Sequence, residues 1–188
     1  FHYYKQKTTV NPTTDPAKKQ VTEVTEWNYA CGAPTKVKDP NGVIAITEYD
    51  SLCRVTRKSN NKNDQYERID YSKMDEIGLR PGQRYVQTFT PHPTAGAEVW
   101  TQVYPDGLGR NFQTVSGSTL SSQKFWTKTY YNERGLVYGK SKPMPWNEND
   151  PSKWTRISYD ALNRPVKVQY GWTSGATQTA AYAVQSGE

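Results

Sequence analysis

A tyrosine-led heptapeptide recurs along this chain, and no other feature limits its fold so tightly. Tyr49-Asp50-Ser51-Leu52-Cys53-Arg54-Val55 returns as Tyr159-Asp160-Ala161-Leu162-Asn163-Arg164, followed by Pro165-Val166. Tyr131-Asn132-Glu133-Arg134-Gly135-Leu136-Val137 is a looser copy without the arginine, and Tyr104-Pro105-Asp106-Gly107-Leu108-Gly109-Arg110 carries one extra residue after the tyrosine. A degenerate fifth copy opens at Tyr29-Ala30-Cys31-Gly32, and the step from Tyr29 to Tyr49 is 20 residues. Each copy reads as a hairpin. Tyr ends one strand, Asp and the Gly/Asn position make the turn, and Arg-Val or Pro-Val begins the return. An aspartate at a turn start can accept from backbone N–H groups two residues on. An arginine four positions later can meet that carboxylate or stack on a Tyr ring. One hairpin is too small to bury its own apolar face, so the units must stack side by side.

The rest of the chain agrees with a strand-built fold. Helical periodicity is nearly absent, and apolar residues alternate with polar ones as in half-buried strands. Val99, Thr101 and Val103 share one face with Trp100, Gln102 and Tyr104 on the other; Val166, Val168, Tyr170 and Trp172 line a face opposite Lys167 and Gln169. Phe125–Tyr131 and Trp154–Tyr159 read as further strands, rich in aromatic and β-branched residues. Turn signals separate them, among them Asp39-Pro40-Asn41-Gly42. Residues 60–83 are the least strand-like, and read as an excursion loop or a short helix around 65–77. Residues 91–97 and 143–153 read as long surface loops. The expectation is an all-β fold of stacked antiparallel hairpins forming a curved sheet. It is one module over 1–188, with the repeats in 27–172, an irregular insertion at 60–83 and a frayed tail at 174–188. Mean hydropathy is −0.92, which alone would suggest disorder. Against that stand 14 Tyr, 6 Trp and 4 Phe and a net charge of only +6 in 188 residues, since disordered chains lack aromatics and carry high net charge.

In these residues the chain resembles the YD-repeat, or Rhs, family. Its unit is roughly Tyr-Asp-x-x-Gly-Arg followed by Leu or Val, recurring at about 20 residues, with an Asp-Pro-Asn-Gly turn often lying between units. Asp39-Pro40-Asn41-Gly42 falls between Tyr29 and Tyr49 as that pattern expects. The departures are Cys53 and Asn163 at the glycine position, and the absence of a clear copy between Val55 and Tyr104. The resemblance implies a long β-ribbon that spirals into a hollow shell. In bacterial Rhs proteins, and in the B and C components of insecticidal toxin complexes, the shell encloses a toxic C-terminal segment; in animal teneurins a similar shell is an extracellular adhesion scaffold. The toxin-associated bacterial branch fits the stretch from Tyr104 through Tyr159 better. The family's closing Asp-Pro-x-Gly-Leu type run does not occur, so the chain reads as interior wall. The repeat residues that would build that wall are Tyr29, Gly32, Tyr49, Asp50, Arg54, Tyr104, Asp106, Gly109, Arg110, Tyr131, Gly135, Tyr159, Asp160 and Arg164.

The chemistry of the remaining residues points away from catalysis. There are two histidines, His2 and His92, and the latter reads as a solvated loop residue between prolines. Metalloprotease, nucleophile-elbow and phosphate-loop motifs are missing. Gly107-Leu108-Gly109 sits between strands with no helix after it, so it is no dinucleotide fingerprint. Asp75-Glu76 reads as a pair of solvated charges. No enzyme activity, cofactor or metal is expected. Residues 1–60 sum to +3, 61–120 to −1 and 121–188 to +4, with dense basic pairs only at Lys18-Lys19 and Arg57-Lys58, so no basic patch points to nucleic acid. Apolar runs such as Val43–Ile46 are far too short for a spanning helix. Cys31 and Cys53 could form one disulfide or remain two separate buried thiols. The tryptophans read mainly as space-fillers in a sheet short of aliphatics. Trp146, in a Pro-flanked loop, is the exposed one and the candidate glycan contact. The chain starts Phe1-His2-Tyr3-Tyr4 without Met and reads as part of a larger bacterial protein, secreted or at the cell surface. The expected role is a non-catalytic wall segment enclosing a toxin or effector for delivery. The alternative is an extracellular carbohydrate- or surface-binding β module. Expected partners are flanking YD repeats or the toxin cargo, and a second copy through edge-to-edge self-association.

Overall fold

The computed structural model describes residues 7–10, 20–62, 65–80, 82–171 and 178–180. The fold is all-β. In chain order the strands are β1 (Lys7–Val10), β2 (Gln20–Asn28), β3 (Ala33–Lys38), β4 (Ile44–Tyr49), β5 (Val55–Asn60), β6 (Tyr66–Asp70), β7 (Val86–Pro91), β8 (Glu98–Pro105), β9 (Asn111–Ser118), β10 (Ser121–Tyr131), β11 (Val137–Ser141), β12 (Met144–Pro145), β13 (Trp154–Tyr159), β14 (Pro165–Tyr170) and β15 (Gln178–Ala180). The helical residues described are a single turn, α1 (Ser72–Asp75), and a 3₁₀ turn at Pro151–Lys153. Backbone contacts divide the chain into two compact units, the first Phe1–Asp70 with Thr88–Glu98 and the second Tyr71–Gln87 with Val99–Glu188.

In the first unit β1 to β6 form an antiparallel meander, each strand pairing with the one before it. Residues 66–70 correct the expectation of a loop or short helix around 65–77. The strand forms there without an apolar stripe because its charged side chains find partners across the ladder. Glu67 lies opposite Lys58 and pairs with it at 3.1 Å. Arg57 and Arg68 are directly opposite, an unfavourable like-charge pair by itself. Arg57 is drawn over the Tyr66 ring at 4.7 Å. Arg68 lies over Phe89 at 3.7 Å and bonds Glu98 at 3.1 Å. The Tyr66 hydroxyl donates to the same carboxylate at 2.6 Å, which raises the pKa of the phenol.

The second unit holds most of the buried apolar residues. Strands β8, β9, β10 and β11 pair antiparallel in order, followed by β13, β14 and β15, while β12 pairs back onto β10. Register places Gln102 opposite Val115, Val115 opposite Trp126, and Trp126 opposite Met144. Val115, Trp126, Met144 and Trp154 form the core, with Trp100 and Tyr104 packed against it. Met144 is fully buried, which corrects the expectation that 143–153 is a surface loop throughout; β12 returns that segment to the sheet. Of the tail expected to be frayed, Gln178–Ala180 pairs with β14. Trp172, His2, Lys18-Lys19 and the other residues of 174–188 lie outside the described residues.

Few of the described residues are interior. Among the described residues only Ala97, Val115, Trp126, Met144 and Trp154 are buried hydrophobics, whereas a self-sufficient domain buries a sheet face against a second layer. Two glycines compensate locally. Trp100 and Tyr130 lie flat over the Gly117 and Gly139 positions opposite them, an aromatic covering a cross-strand glycine. A Cβ added at Gly117 would sit 2.5 Å from Trp100 Cζ2. Gly117→Ala is therefore expected to cost about 1–3 kcal/mol through displacement of the indole, read by chemical denaturation together with a change in tryptophan emission.

Candidate functional site

The repeat motif converges on one bend geometry, present at Asp39, Asp50, Asp106, Asn132 and Asp160. In each, the Asp or Asn backbone N–H donates to the carbonyl four residues on, and the N–H of the third residue on donates back. The side-chain Oδ1 accepts from the backbone N–H groups two and four residues on. These distances are 2.8 and 2.8 Å at Asp39, 2.9 and 2.9 Å at Asp50, 2.9 and 2.9 Å at Asp106, 3.0 and 2.9 Å at Asn132, and 2.9 and 2.9 Å at Asp160. The third residue has positive φ throughout: Gly42 +80°, Cys53 +61°, Gly109 +78°, Gly135 +80° and Asn163 +65°. This is a three-residue hairpin loop closed by a left-handed residue, and at the Asp50, Asp106, Asn132 and Asp160 bends the register shifts by one at the strand end. The Asp39 turn, which the sequence presents only as a spacer between repeats, has the same construction.

Where the fourth residue on is arginine, its guanidinium closes the bend. Arg54, Arg110 and Arg164 donate through Nε to Oδ2 of Asp50, Asp106 and Asp160 at 2.8, 2.7 and 2.7 Å. The pKa of Asp50 and Asp160 is lowered, chiefly by the backbone N–H of Arg54 and Arg164. For Asp106, desolvation is the largest influence and raises the pKa, but hydrogen bonds from Arg110 and Leu108 outweigh it and the net direction is down.

The tyrosines link one bend to the previous one. Tyr49, Tyr131 and Tyr159 stand opposite Val55, Val137 and Pro165 at the strand ends. Their hydroxyls donate to the carbonyls of Pro34 at 3.1 Å, Asn111 at 3.0 Å and Val137 at 2.8 Å. Each acceptor lies at the start of the strand that leaves the preceding bend on that edge. Two expected repeat tyrosines do not hold this position. Pro105, opposite Asn111, takes the place assigned to Tyr104. The extra residue moves Tyr104 to the other face, where it packs on the core and donates to Gln102 at 2.9 Å. Tyr29 lies within a four-residue turn, 72% exposed, between Asn28 and Ala33. There Asn28 Oδ1 accepts from Cys31 N–H at 3.1 Å, and Gly32 supplies a φ of +62°.

Neighbouring bends are also tied directly. In the first unit Cys31 and Cys53 are joined by a disulfide, with Cα atoms 5.3 Å apart. In the second, Arg110 lies over the Tyr131 ring at 4.3 Å and Arg134 donates to the Asp160 carbonyl at 2.9 Å.

A separate cleft of about 320 Å³ opens in the second unit beside Trp146. The aromatic members are Trp126, Tyr130, Trp146 and Trp154; Tyr130 stacks on Trp154 at 5.2 Å and 9°, and Trp146 is 57% exposed. Trp126 Nε1 donates to the Pro145 carbonyl at 3.0 Å and Trp154 Nε1 to Asn149 Oδ1 at 3.3 Å, fixing both indoles. Gln113, Lys128 and Asn147 add polar groups. Of these residues the sequence singled out only Trp146 as an exposed contact. Period-2 alternation, with Gln113 opposite Lys128, is the signal that could have assembled more of the set.

His92, expected to be a solvated loop residue, is half-buried and accepts from Thr94 N–H at 3.0 Å through Nδ1. Glu76 is paired with Lys73. Among the described residues no three His, Cys, Asp or Glu side chains are grouped to hold a metal, and no helix is long and apolar enough to cross a membrane.

No family model matches the sequence, and no curated protein matches it. A solved structure, TcdB2–TccC3, has a similar fold, with a TM-score of 0.58 at 14% identity over 81% of this chain. The matched region is about 10% of the TcdB2–TccC3 chain, so the present chain spans about a tenth of its length.

Two predictions follow from the bends. Gly109→Ala is expected to destabilise by about 1–2 kcal/mol, the cost of a left-handed residue with a Cβ. Gly107→Ala, whose Cβ also meets open space but without positive φ, is expected to be neutral; paired denaturant melts check both. Folded carboxylates with lowered pKa contribute stability that is present above the unfolded value, about 3.9, and lost as pH falls through the folded value. Stability should therefore decline at acid pH below that unfolded value. The slope should flatten in the triple variant Asp50→Asn, Asp106→Asn, Asp160→Asn, because Asn132 shows that an amide keeps the same bend; urea melts across pH measure this.

Proposed function

We propose that this chain is a wall segment of an Rhs or YD-repeat shell, a non-catalytic module that keeps a toxin or effector segment apart from its surroundings until delivery. The observation that carries this reading is the recurrence of one bend geometry, with ties between several neighbouring bends, beside few buried apolar residues among those described. Order comes from backbone ladders and bend locks, so strands can be added without enlarging an interior. Such a strip is suited to separating two spaces, and its barely buried faces are suited to meeting other parts of a larger protein. The resemblance of the heptapeptides to YD repeats and the likeness of fold to TcdB2–TccC3 support the same reading. The parent would be a bacterial protein, secreted or displayed at the cell surface, with flanking repeats and cargo as partners. Free strand edges would pair with those repeats or, in isolation, with a second copy.

Limited proteolysis of the parent protein tests the proposal. A segment enclosed by the wall should resist cleavage in the native protein. It should become sensitive when Asp106→Ala and Asp160→Ala are combined to open two bends. Equal cleavage in the native protein and the double variant would refute containment.

A further inference from the structure

The bend system leaves the cleft beside Trp146 unexplained. Trp146 is an exposed indole on a fixed support: its backbone N–H donates to the Lys124 carbonyl at 2.8 Å, directly after the β10–β12 pairs Phe125–Pro145 and Trp126–Met144. An exposed aromatic at the mouth of a concave, part-polar cleft marks a candidate site for a ligand. The surrounding groups indicate what that is. The side-chain amides of Gln113 and Asn147 make no hydrogen bond among the described residues. Lys128 is held near the Trp126 ring, its Nζ 5.0 Å from the centroid, so its ammonium keeps donors for a ligand. Glu148 is paired with Lys153 at 2.5 Å, which offsets that acid's charge.

We infer that this cleft binds a hexopyranose unit of a glycan. An aromatic face with negative π density meets the polarised C–H face of a sugar ring, and the exposed indole of Trp146 supplies such a face. Amides that donate and accept at once match vicinal hydroxyls, and Gln113 and Asn147 supply two from opposite sides of the lining. The volume of about 320 Å³ is at the lower end of small-ligand sites, suited to one or two sugar rings. A wholly apolar ligand would leave both amides unpaired, and a multiply charged anion would meet a single cation of the lining, Lys128. The inference does not depend on the wall proposal, because the cleft lies wholly on the second unit and uses none of the bend residues.

The test is a glycan array probed with the full chain, followed by titration of the strongest oligosaccharide against intrinsic fluorescence. Binding should weaken about tenfold or more in Trp146→Ala and in Gln113→Ala, a loss of at least about 1.4 kcal/mol. Tyr29→Ala, an exposed aromatic in the first unit, should leave it unchanged. Asn147→Ala, on the same loop, provides a second reading should Trp146→Ala perturb the loop, and circular dichroism confirms the β fold of each variant. Absence of binding to every glycan overturns the inference. So does binding that persists in correctly folded Trp146→Ala and Asn147→Ala, or binding of peptides in place of sugars.

Discussion

The structure depends on one interaction: a short side-chain oxygen that accepts two backbone N–H groups across a tight bend. Asp39, Asp50, Asp106, Asn132 and Asp160 all make it. Reversing a strand leaves amides without ladder partners, and an unsatisfied amide is costly once water is excluded. A carboxylate or amide oxygen at the first turn residue resolves this locally, with no help from a core. That is why so few apolar residues are needed. The left-handed residue three positions on is the geometric counterpart, and it explains why glycine dominates there and asparagine can substitute.

From this local unit the wider order follows. An aspartate fixes the bend, the bend fixes the register of the strands on either side, and register decides which side chains share a face. Gln102, Val115, Trp126 and Met144 thus form one row although they come from distant parts of the chain. The tyrosine hydroxyls then bind the strand leaving the preceding bend. The result is a polar cross-link between a bend and the one before it, found in each unit, where many proteins would use buried aliphatics.

Legibility in the sequence followed the range of each interaction. The bends could be read because Asp, the left-handed residue and Arg lie within five positions, so their chemistry is complete in one short word. The faces of β8 could be read from simple alternation at 99–104. Tyr104 was misplaced because one inserted residue, Pro105, occupies the strand-end position, and only cross-strand register reveals that. β6 was missed because Glu67 and Arg68 look unsuited to a strand until Lys58, Phe89 and Glu98 are brought beside them. The burial of Met144 and the gathering of Gln113, Lys128 and Asn147 depend on the pairing of β9, β10 and β12, which no local pattern encodes.

The disulfide between Cys31 and Cys53 occupies the role that Arg110 on Tyr131, and Arg134 on the Asp160 carbonyl, fill elsewhere. The arginine contacts form as soon as the chain folds. A sulfur–sulfur bond forms only where thiols can be oxidised. The first unit's tie therefore answers to the redox state around the chain, whereas the arginine ties of the second unit do not.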